Sequence, residues 1–326
     1  SGSAAGLCRH CDETRRLTFY LAAEEYVSRR NAIDEYFFMW QVEPTVVFGR
    51  NQLIDSEVNL PYCREHGIAA YRRTSGGGCV YADMNNIMFS YGNRGEHVTL
   101  TFERHINRLV DMLNRLGIKA YTSGRNDILV DGKKVSGNAF YHIPGRNILH
   151  GTMLFDTNWQ HMVGSITPSQ TKLVSKGVES VRQHVTVLKD FCSLTIDEFK
   201  AFARDHLCDQ SLTLTDEDVR GIEAIEREYL DPAFIFGNNP RYTLTQRRRI
   251  EGCGEFEVRM ELRNNVIKAV ELKGDFFLVG ELDALLARFK NVERTPEALQ
   301  AAVADCDLTQ YIMHLTRDAL IELLVE

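Results

Sequence analysis

The chain has 326 residues, a formal net charge of −7, 44% hydrophobic residues and 25% charged residues. This composition supports a sizeable globular core, and at roughly 100–200 residues per domain the length fits two domains. The acidic balance argues against a dedicated nucleic-acid binder, which carries a basic surplus, and no run approaches the ~18 apolar residues of a membrane span.

The chain starts Ser1-Gly2-Ser3 without methionine, and nothing after it reads as a signal peptide. Residues 1–16 are expected to be an N-terminal extension or tag remnant. Eight cysteines, at 8, 11, 63, 79, 192, 208, 253 and 306, lack the tight spacing of a disulfide framework. Reduced thiols and a cytoplasmic setting are expected. Cys8-Arg9-His10-Cys11 is the one close pair, and no second pair follows at zinc-site spacing.

In chain order, Leu17–Arg30 reads as an amphipathic helix through Leu17, Tyr20, Leu21 and Tyr26 with Val27. Tyr36–Val42 and Thr45–Phe48, split by Glu43-Pro44, read as two strands. Leu100–Leu116 reads as a helix closed by Gly117. Thr195-Ile196-Asp197-Glu198 is a capping box opening a helix, and a further helix spans Asp216–Leu230. Gly237-Asn238-Asn239-Pro240 and Arg247-Arg248-Arg249 mark a composition shift. Beyond it, Glu255–Leu262 alternates strictly, Arg263-Asn264-Asn265 turns the chain, and Val266–Leu272 returns, with helical patterns over 280–325. This predicts a catalytic domain over 17–245 and a small α+β domain over 247–326.

Two stretches carry chemistry. Ile68–Tyr71 runs into Arg72-Arg73-Thr74-Ser75-Gly76-Gly77-Gly78. Three glycines inside a strand pattern mark close approach of another backbone or of a ligand, and their N–H groups can cradle an anion. Solvated arginines on a flexible turn are the plain alternative. In the second stretch, Gly124–Ala139, Asp131-Gly132 is a strong two-residue hairpin turn. With that loop, Leu129 pairs with Lys134 and Asp127 lies opposite Ser136. Lys134, Ser136 and Asn138 then share a face with Asp127, which becomes a diagonal neighbour of Lys134. Such a face suits a phosphate, a reacting carboxylate and Mg2+; a solvated ion pair is the alternative. Walker-type, dinucleotide-binding and nucleophile-elbow motifs are absent. Cys79 reads as a nucleophile or a buried strand residue, and His150 as a base or a structural histidine.

Phe48-Gly49-Arg50-Asn51-Gln52, the Arg72–Gly78 loop, Gly124-Arg125-Asn126-Asp127, Gly132–Ala139, Lys176-Gly177-Val178-Glu179-Ser180-Val181 and Phe236–Pro240 stand in an order and spacing that resemble the lipoate–protein ligase A family. The resemblance spans residues 17–326. It implies an α/β (α+β) architecture: a mixed β-sheet catalytic domain flanked by helices and related to biotin protein ligase, plus a small α+β C-terminal domain. It implies two half-reactions, formation of lipoyl-AMP from lipoate and ATP, then transfer of the lipoyl group to a lysine of an apo lipoyl domain (E2 subunits, H protein). Lys134 matches the family's catalytic lysine. Arg50, Arg73, Ser75, Gly76, Gly77, Gly78, Val80, Ser136, Gly137, Ala139, His150 and Thr152 are implied around the lipoyl group. Arg73, Gly78, Tyr81, Asp83, Asn86, Asn126, Asp127, Lys134 and Lys176 are implied around ATP, with Asp127 toward Mg2+. No nucleic-acid or membrane partner is expected, and a monomer is.

The family pattern His-Asp-x-Gly-Asn is altered here to Ala82-Asp83-Met84-Asn85-Asn86, which removes a histidine and a glycine. Competing readings are an ATP-free octanoyl or lipoyl transferase acting through Cys79, a lipoate-binding protein without turnover, and a biotin ligase.

Overall fold

The structure is a computed structural model that describes residues 3–8, 14–30, 33–95, 97–166, 174–237 and 244–325. It divides into two compact units. The first comprises Ser1–Phe48, Ile54–Arg73 and Cys79–Ile235; the second comprises Gly49–Leu53, Thr74–Gly78 and Phe236–Glu326. Cys8-Arg9-His10-Cys11 and Asn238-Asn239-Pro240 fall wholly or largely outside the described residues.

The first unit holds strands β1 (Ser3–Cys8), β2 (Glu35–Trp40), β3 (Thr45–Phe48), β4 (Ala69–Arg72), β5 (Val80–Ala82), β6 (Ile87–Arg94), β7 (Ala120–Thr122), β8 (Asp127–Val130), β9 (Lys133–Ile143), β10 (Arg146–Met153) and β11 (Cys208–Leu214). Eight of them form one sheet in the order β11-β1-β2-β6-β10-β9-β8-β7, and β4-β3-β5 form a smaller one. β1 runs parallel to both its neighbours while the rest of the large sheet is antiparallel, so the sheet is mixed. The two strands read on either side of Pro44 both form, yet they join different sheets. β1 lies in a stretch whose sequence offered no pattern to read; its pairing with β11 spans some two hundred residues.

Helix Leu17–Ser28 buries every residue except Tyr26. A helix apolar all round belongs in a core, and its polar members are paired. Thr18 Oγ1 donates to Glu226 at 2.6 Å and Tyr26 Oη to Asp218 at 2.8 Å, both on helix Asp216–Leu230. That helix admits the Tyr26 ring because Gly221 has no Cβ, which would lie 2.3 Å from it. Helix Val98–Arg115 is one-sided: Val98, Thr101, Phe102, His105, Ile106, Leu109, Met112 and Leu113 are buried at three- and four-residue spacing. Gly117, at φ +82°, takes the left-handed position just past its end.

The second unit is built on β12 (Leu244–Ile250), β13 (Gly254–Arg263) and β14 (Val266–Gly274), an antiparallel sheet. Phe256, Val258 and Met260, the apolar half of the alternation, are wholly buried. Asn264 and Asn265 turn the chain with φ of 51° and 62°, the positive values a tight hairpin requires and asparagine tolerates. Helices Leu282–Leu286, Pro296–Ala302 and Arg317–Val325 supply Leu285, Leu299, Leu320 and Leu324 to the same core. The arginine run at 247–249 lies within β12. Among the described residues no helix is long and apolar enough to cross a membrane.

His105 generates a prediction. It is buried and stacks on Tyr91 at 4.6 Å. Burial, with the Arg108 charge adding to it, pushes its imidazole down to about 3. The unfolded chain therefore binds a proton near pH ~6.5 that the folded chain refuses, so this contribution is complete above that pH and is lost as pH falls toward 3. Urea unfolding at pH 7, 6 and 5 should show stability falling by about 1 kcal/mol per pH unit below ~6.5. In His105→Phe that slope should flatten.

Candidate active site

The hairpin β8–β9 turns through Asp131 and Gly132 at φ 54° and 74°, as two-residue turns of this kind demand. Leu129 pairs with Lys134 as expected, but then the register shifts: Ile128 faces Ser136 and Asp127 faces Gly137, not Ser136. Val135 is the extra residue of a β-bulge. On its other edge the strand is held from far along the chain. Lys134 N donates to His184 O at 2.8 Å and Thr186 N donates to Lys134 O at 2.9 Å, so the backbone there pairs with the 184–186 segment. A bulge turns subsequent side chains to the opposite face. Ser136 and Asn138 therefore part from Lys134, correcting the single-face arrangement read from alternation. Both become buried, and Asn138 Nδ2 donates to Ser136 Oγ at 3.1 Å.

What the bulge leaves on the Lys134 face is Asp127 and Gly137. Lys134 Nζ stands 3.3 Å from Asp127 Oδ1, both side chains about one-third exposed. A Cβ at Gly137 would lie 2.9 Å from both Cε and Nζ of Lys134, so the missing side chain is the space that the ammonium uses. Asn126 braces the strand from the other edge: Asn138 N donates to Asn126 O at 3.0 Å and Asn126 Nδ2 to Asn138 O at 3.3 Å.

β9 and β10 assemble more of the predicted residues. Gly137 N donates to Thr152 Oγ1 at 3.1 Å, and Ala139 pairs with His150. Gly151 permits the approach, since a Cβ there would be 2.2 Å from Asn138 Oδ1. His150 is buried, with Nδ1 2.9 and 3.0 Å from the oxygens of Glu24. Glu24 also accepts from Ser90 Oγ, which accepts from Trp40 Nε1 at 2.8 Å. Sequence reading missed Glu24, Ser90 and Trp40. The signal was present in Glu24-Glu25, two carboxylates inside an otherwise apolar helix, which need buried partners.

The altered segment after the glycine loop is a self-tied turn. Asp83 Oδ1 accepts from Asn85 N at 2.8 Å; Asp83 Oδ2 accepts from Tyr81 Oη at 3.0 Å and Asn158 N at 3.2 Å. Asn86 Oδ1 accepts from Asp83 N at 2.7 Å. Asp83, Asn86 and Tyr81 thus fix backbone here. Val80 is half-buried against the apolar core, and Lys176 is exposed on helix Val174–Arg182.

Arg72 and Arg73 are buried, and burial pushes both guanidinium groups down to about 10, so both stay cationic at neutral pH. Arg72 donates to Phe234 O at 2.8 Å and Ile235 O at 3.0 Å and lies 4.6 Å over the Phe48 ring. Arg73 Nη1 donates to Val47 O at 3.3 Å. Burial pushes the Cys79 thiol well above its ordinary range, the opposite of what a thiolate nucleophile needs.

In the second unit, Arg50 N donates to Ser75 O at 2.9 Å, and Ser75 is fully buried. A Cβ on Gly76 would lie 2.4 Å from Phe276 O, and one on Gly49 2.3 Å from Gly77 O. Gly77 N donates to Phe276 O at 3.3 Å, and Gly77 has φ +93°. Gly76 thus admits another backbone, one of the alternatives the loop pattern offered, and Gly49 admits the backbone of Gly77. A Cβ on Gly78 would meet Asp275 Cβ at 4.0 Å.

Among the described residues no three His, Cys, Asp or Glu side chains cluster as a metal site. Mg2+ needs none, since it is held by one or two carboxylates together with substrate phosphates. The Asp127 carboxylate, whose Oδ1 faces Lys134 Nζ at 3.3 Å without a hydrogen bond, fits that single-carboxylate role.

The fold is shared with LipL1 of P. falciparum, crystallised in complex with lipoate, which superposes with a TM-score of 0.80 at 18% identity, covering 100% of this chain and 99% of that one. A lipoate-protein ligase A bound with ATP superposes with a TM-score of 0.60 at 21% identity, covering 73% and 99%. Residues 17–208 match the lipoyl protein ligase A/B catalytic domain and residues 239–324 the bacterial lipoate protein ligase C-terminus. Lipoate-protein ligase LplJ of Bacillus subtilis is 30% identical over 318 residues, 93% of this chain and 95% of its own. The chain belongs to the lipoate–protein ligase family.

Gly137→Ala tests the geometry of the pair. The new methyl would crowd the flexible end of Lys134 at 2.9 Å and touch Asp127 Oδ1 at an ordinary 3.8 Å, so stability should change by less than about 1 kcal/mol. The ammonium must move away from Asp127, and acyl-adenylate formation should fall at least about tenfold. Thermal melts and pyrophosphate release would read the two effects separately.

Proposed function

We propose that the chain is an ATP-dependent lipoate–protein ligase that forms lipoyl-AMP and transfers the lipoyl group to a lysine of apo lipoyl domains, the E2 subunits of 2-oxoacid dehydrogenases and the H protein of glycine cleavage. The observation that carries the reading is the Lys134–Asp127 pair, 3.3 Å apart on a hairpin whose glycine makes room for the ammonium. Family membership over both matched regions supports it. So do relatives of the same fold crystallised with lipoate and with ATP.

In the first half-reaction a carboxylate oxygen of lipoate attacks the α-phosphorus of ATP, the new O–P bond forms, and pyrophosphate leaves. Two anions must meet, so fixed positive charge aimed at the reacting oxygens lowers the barrier. Lys134 supplies that charge to the α-phosphate and the acyl oxygen. Arg73, buried yet cationic, adds charge at the lipoyl and phosphate groups. Asp127 orients Lys134 and would hold Mg2+, which when bound neutralises phosphate charge. In the second half-reaction the acceptor amine attacks the acyl carbon, the acyl–phosphate bond breaks, AMP leaves, and the amine loses a proton. Lys134 stays on the enzyme throughout, and the acyl acceptor is the partner's lysine.

Ser136, Gly137, Ala139, His150 and Thr152 are proposed to form the wall against the lipoyl chain, with Glu24 fixing the His150 ring. Asn126 braces β9 beside the nucleotide. Asp83 and Asn86 act through the turn they hold. Arg50 and Lys176 are proposed as outer contacts of the lipoyl and nucleotide groups. A cytoplasmic setting suits the six free cysteines among the described residues.

Incubation with lipoate, ATP, Mg2+ and an apo lipoyl domain should add one lipoyl group by mass spectrometry, and failure to form even lipoyl-AMP would sink the reading. Lys134→Ala should cut adenylate formation by about 100- to 1,000-fold, the size of losing one preorganised transition-state donor. Cys79→Ser should keep the ATP-dependent reaction within about threefold of the parent, because a protonated thiol contributes no nucleophile. Acyl transfer that proceeds without ATP and vanishes in this variant would favour a transferase instead.

A further inference from the structure

Away from the hairpin, the first unit brings two histidines together. His66 ends helix Leu60–His66, and His161 lies in helix Trp159–Ile166. Their ring centroids are 5.2 Å apart with planes at 65°.

Hydrogen bonds fix which nitrogen of each ring carries the proton. His66 Nδ1 is 3.0 Å from the Tyr62 carbonyl oxygen. A carbonyl only accepts, so Nδ1 donates, and in the neutral ring Nε2 keeps its lone pair. The Tyr62 hydroxyl donates its single proton to Gln160 O at 3.3 Å and so accepts from His161 Nδ1 at 3.0 Å. His161 Nε2 then also keeps its lone pair. One tyrosine, through its carbonyl and its hydroxyl, sets both tautomers. It also stacks on the His66 ring at 4.0 Å.

Metal-binding histidines are held in this way: one ring nitrogen donates to an oxygen, and the other is presented to the ion. Metal–nitrogen bonds of about 2.0–2.1 Å at a tetrahedral centre place two coordinated ring centroids about 5 Å apart, in keeping with the observed separation. His66 is exposed and His161 half-buried, so an ion has access. Imidazole pairs select borderline-soft dications over Mg2+ and Ca2+. The described residues offer no third His, Cys, Asp or Glu to complete a cluster, so water fills the remaining positions.

We infer that His66 and His161 form a surface site for one divalent transition-metal cation of the Zn2+ type. Neither histidine belongs to the proposed catalytic machinery.

The test uses the full chain carrying Cys8→Ser and Cys11→Ser, which removes the competing close thiol pair. Zn2+ is titrated calorimetrically at pH 7.5. The expected result is one Zn2+ per chain at micromolar strength, weakened at least tenfold in His66→Gln and in His161→Gln, with lipoylation rates unchanged. Because His66 is exposed, His66→Gln keeps the test valid if His161→Gln fails to fold. Zn2+ binding of equal stoichiometry and strength in His66→Gln, or no binding by the parent, would overturn the site.

Discussion

The position of one ammonium group depends on one extra residue. β9 carries a bulge at Val135 that brings Gly137 to the face where Lys134 meets Asp127, and on its other edge the Lys134 backbone bonds to residues 184 and 186. Without it, period two would put Gly137 on the opposite face and leave Ser136 beside the carboxylate. The hairpin would still form, since its turn is local. The face around Lys134 and Asp127 would carry different side chains. One extra residue thus decides which side chains stand beside the pair.

The same sheet shows how polar groups are accommodated inside a core. The Glu24 carboxylate, fully buried, is met by His150 and Ser90, and Ser90 by Trp40. Each member leans on a different element: a helix, β10, β6 and β2. Leaving any one of them unpaired costs more than the pair contributes, so the network locks these elements in mutual register. Glycines work alongside it at 137 and 151, where the strands and their side chains come closer than any Cβ allows.

What could be read from the sequence was what is local. The Asp131-Gly132 turn, the Thr195 capping box, the end of the helix at Gly117 and the alternation through Phe256, Val258 and Met260 all rest on contacts within a few residues, and all appear. The Lys134–Asp127 pairing survived because both register and bulge leave these two on one face. The Ser136 assignment did not, because a bulge has no signature in alternation. β1, β11 and β12 went unread for related reasons: β1 and β11 find each other across the chain, and β12 is a run of arginines whose exposed face masks a half-buried one. The triple glycine was ambiguous in principle, since a close backbone and a close ligand make the same demand on a residue.

Residues 49–53 and 74–78 group with the C-terminal residues rather than with the strands that flank them. Gly274 N bonds to Asn51 O, and Phe276 O takes the N–H of Gly77. A cut in the linear sequence near residue 237 would therefore leave residues 49–53 and 74–78 behind. A chain cut there would expose the carbonyl of Asn51 and the amide of Gly77 with no replacement partner, and the two halves would each carry part of a single fold. Modularity in this protein belongs to space and not to chain order, so swapping a C-terminal region between relatives means exchanging those two short inserts as well.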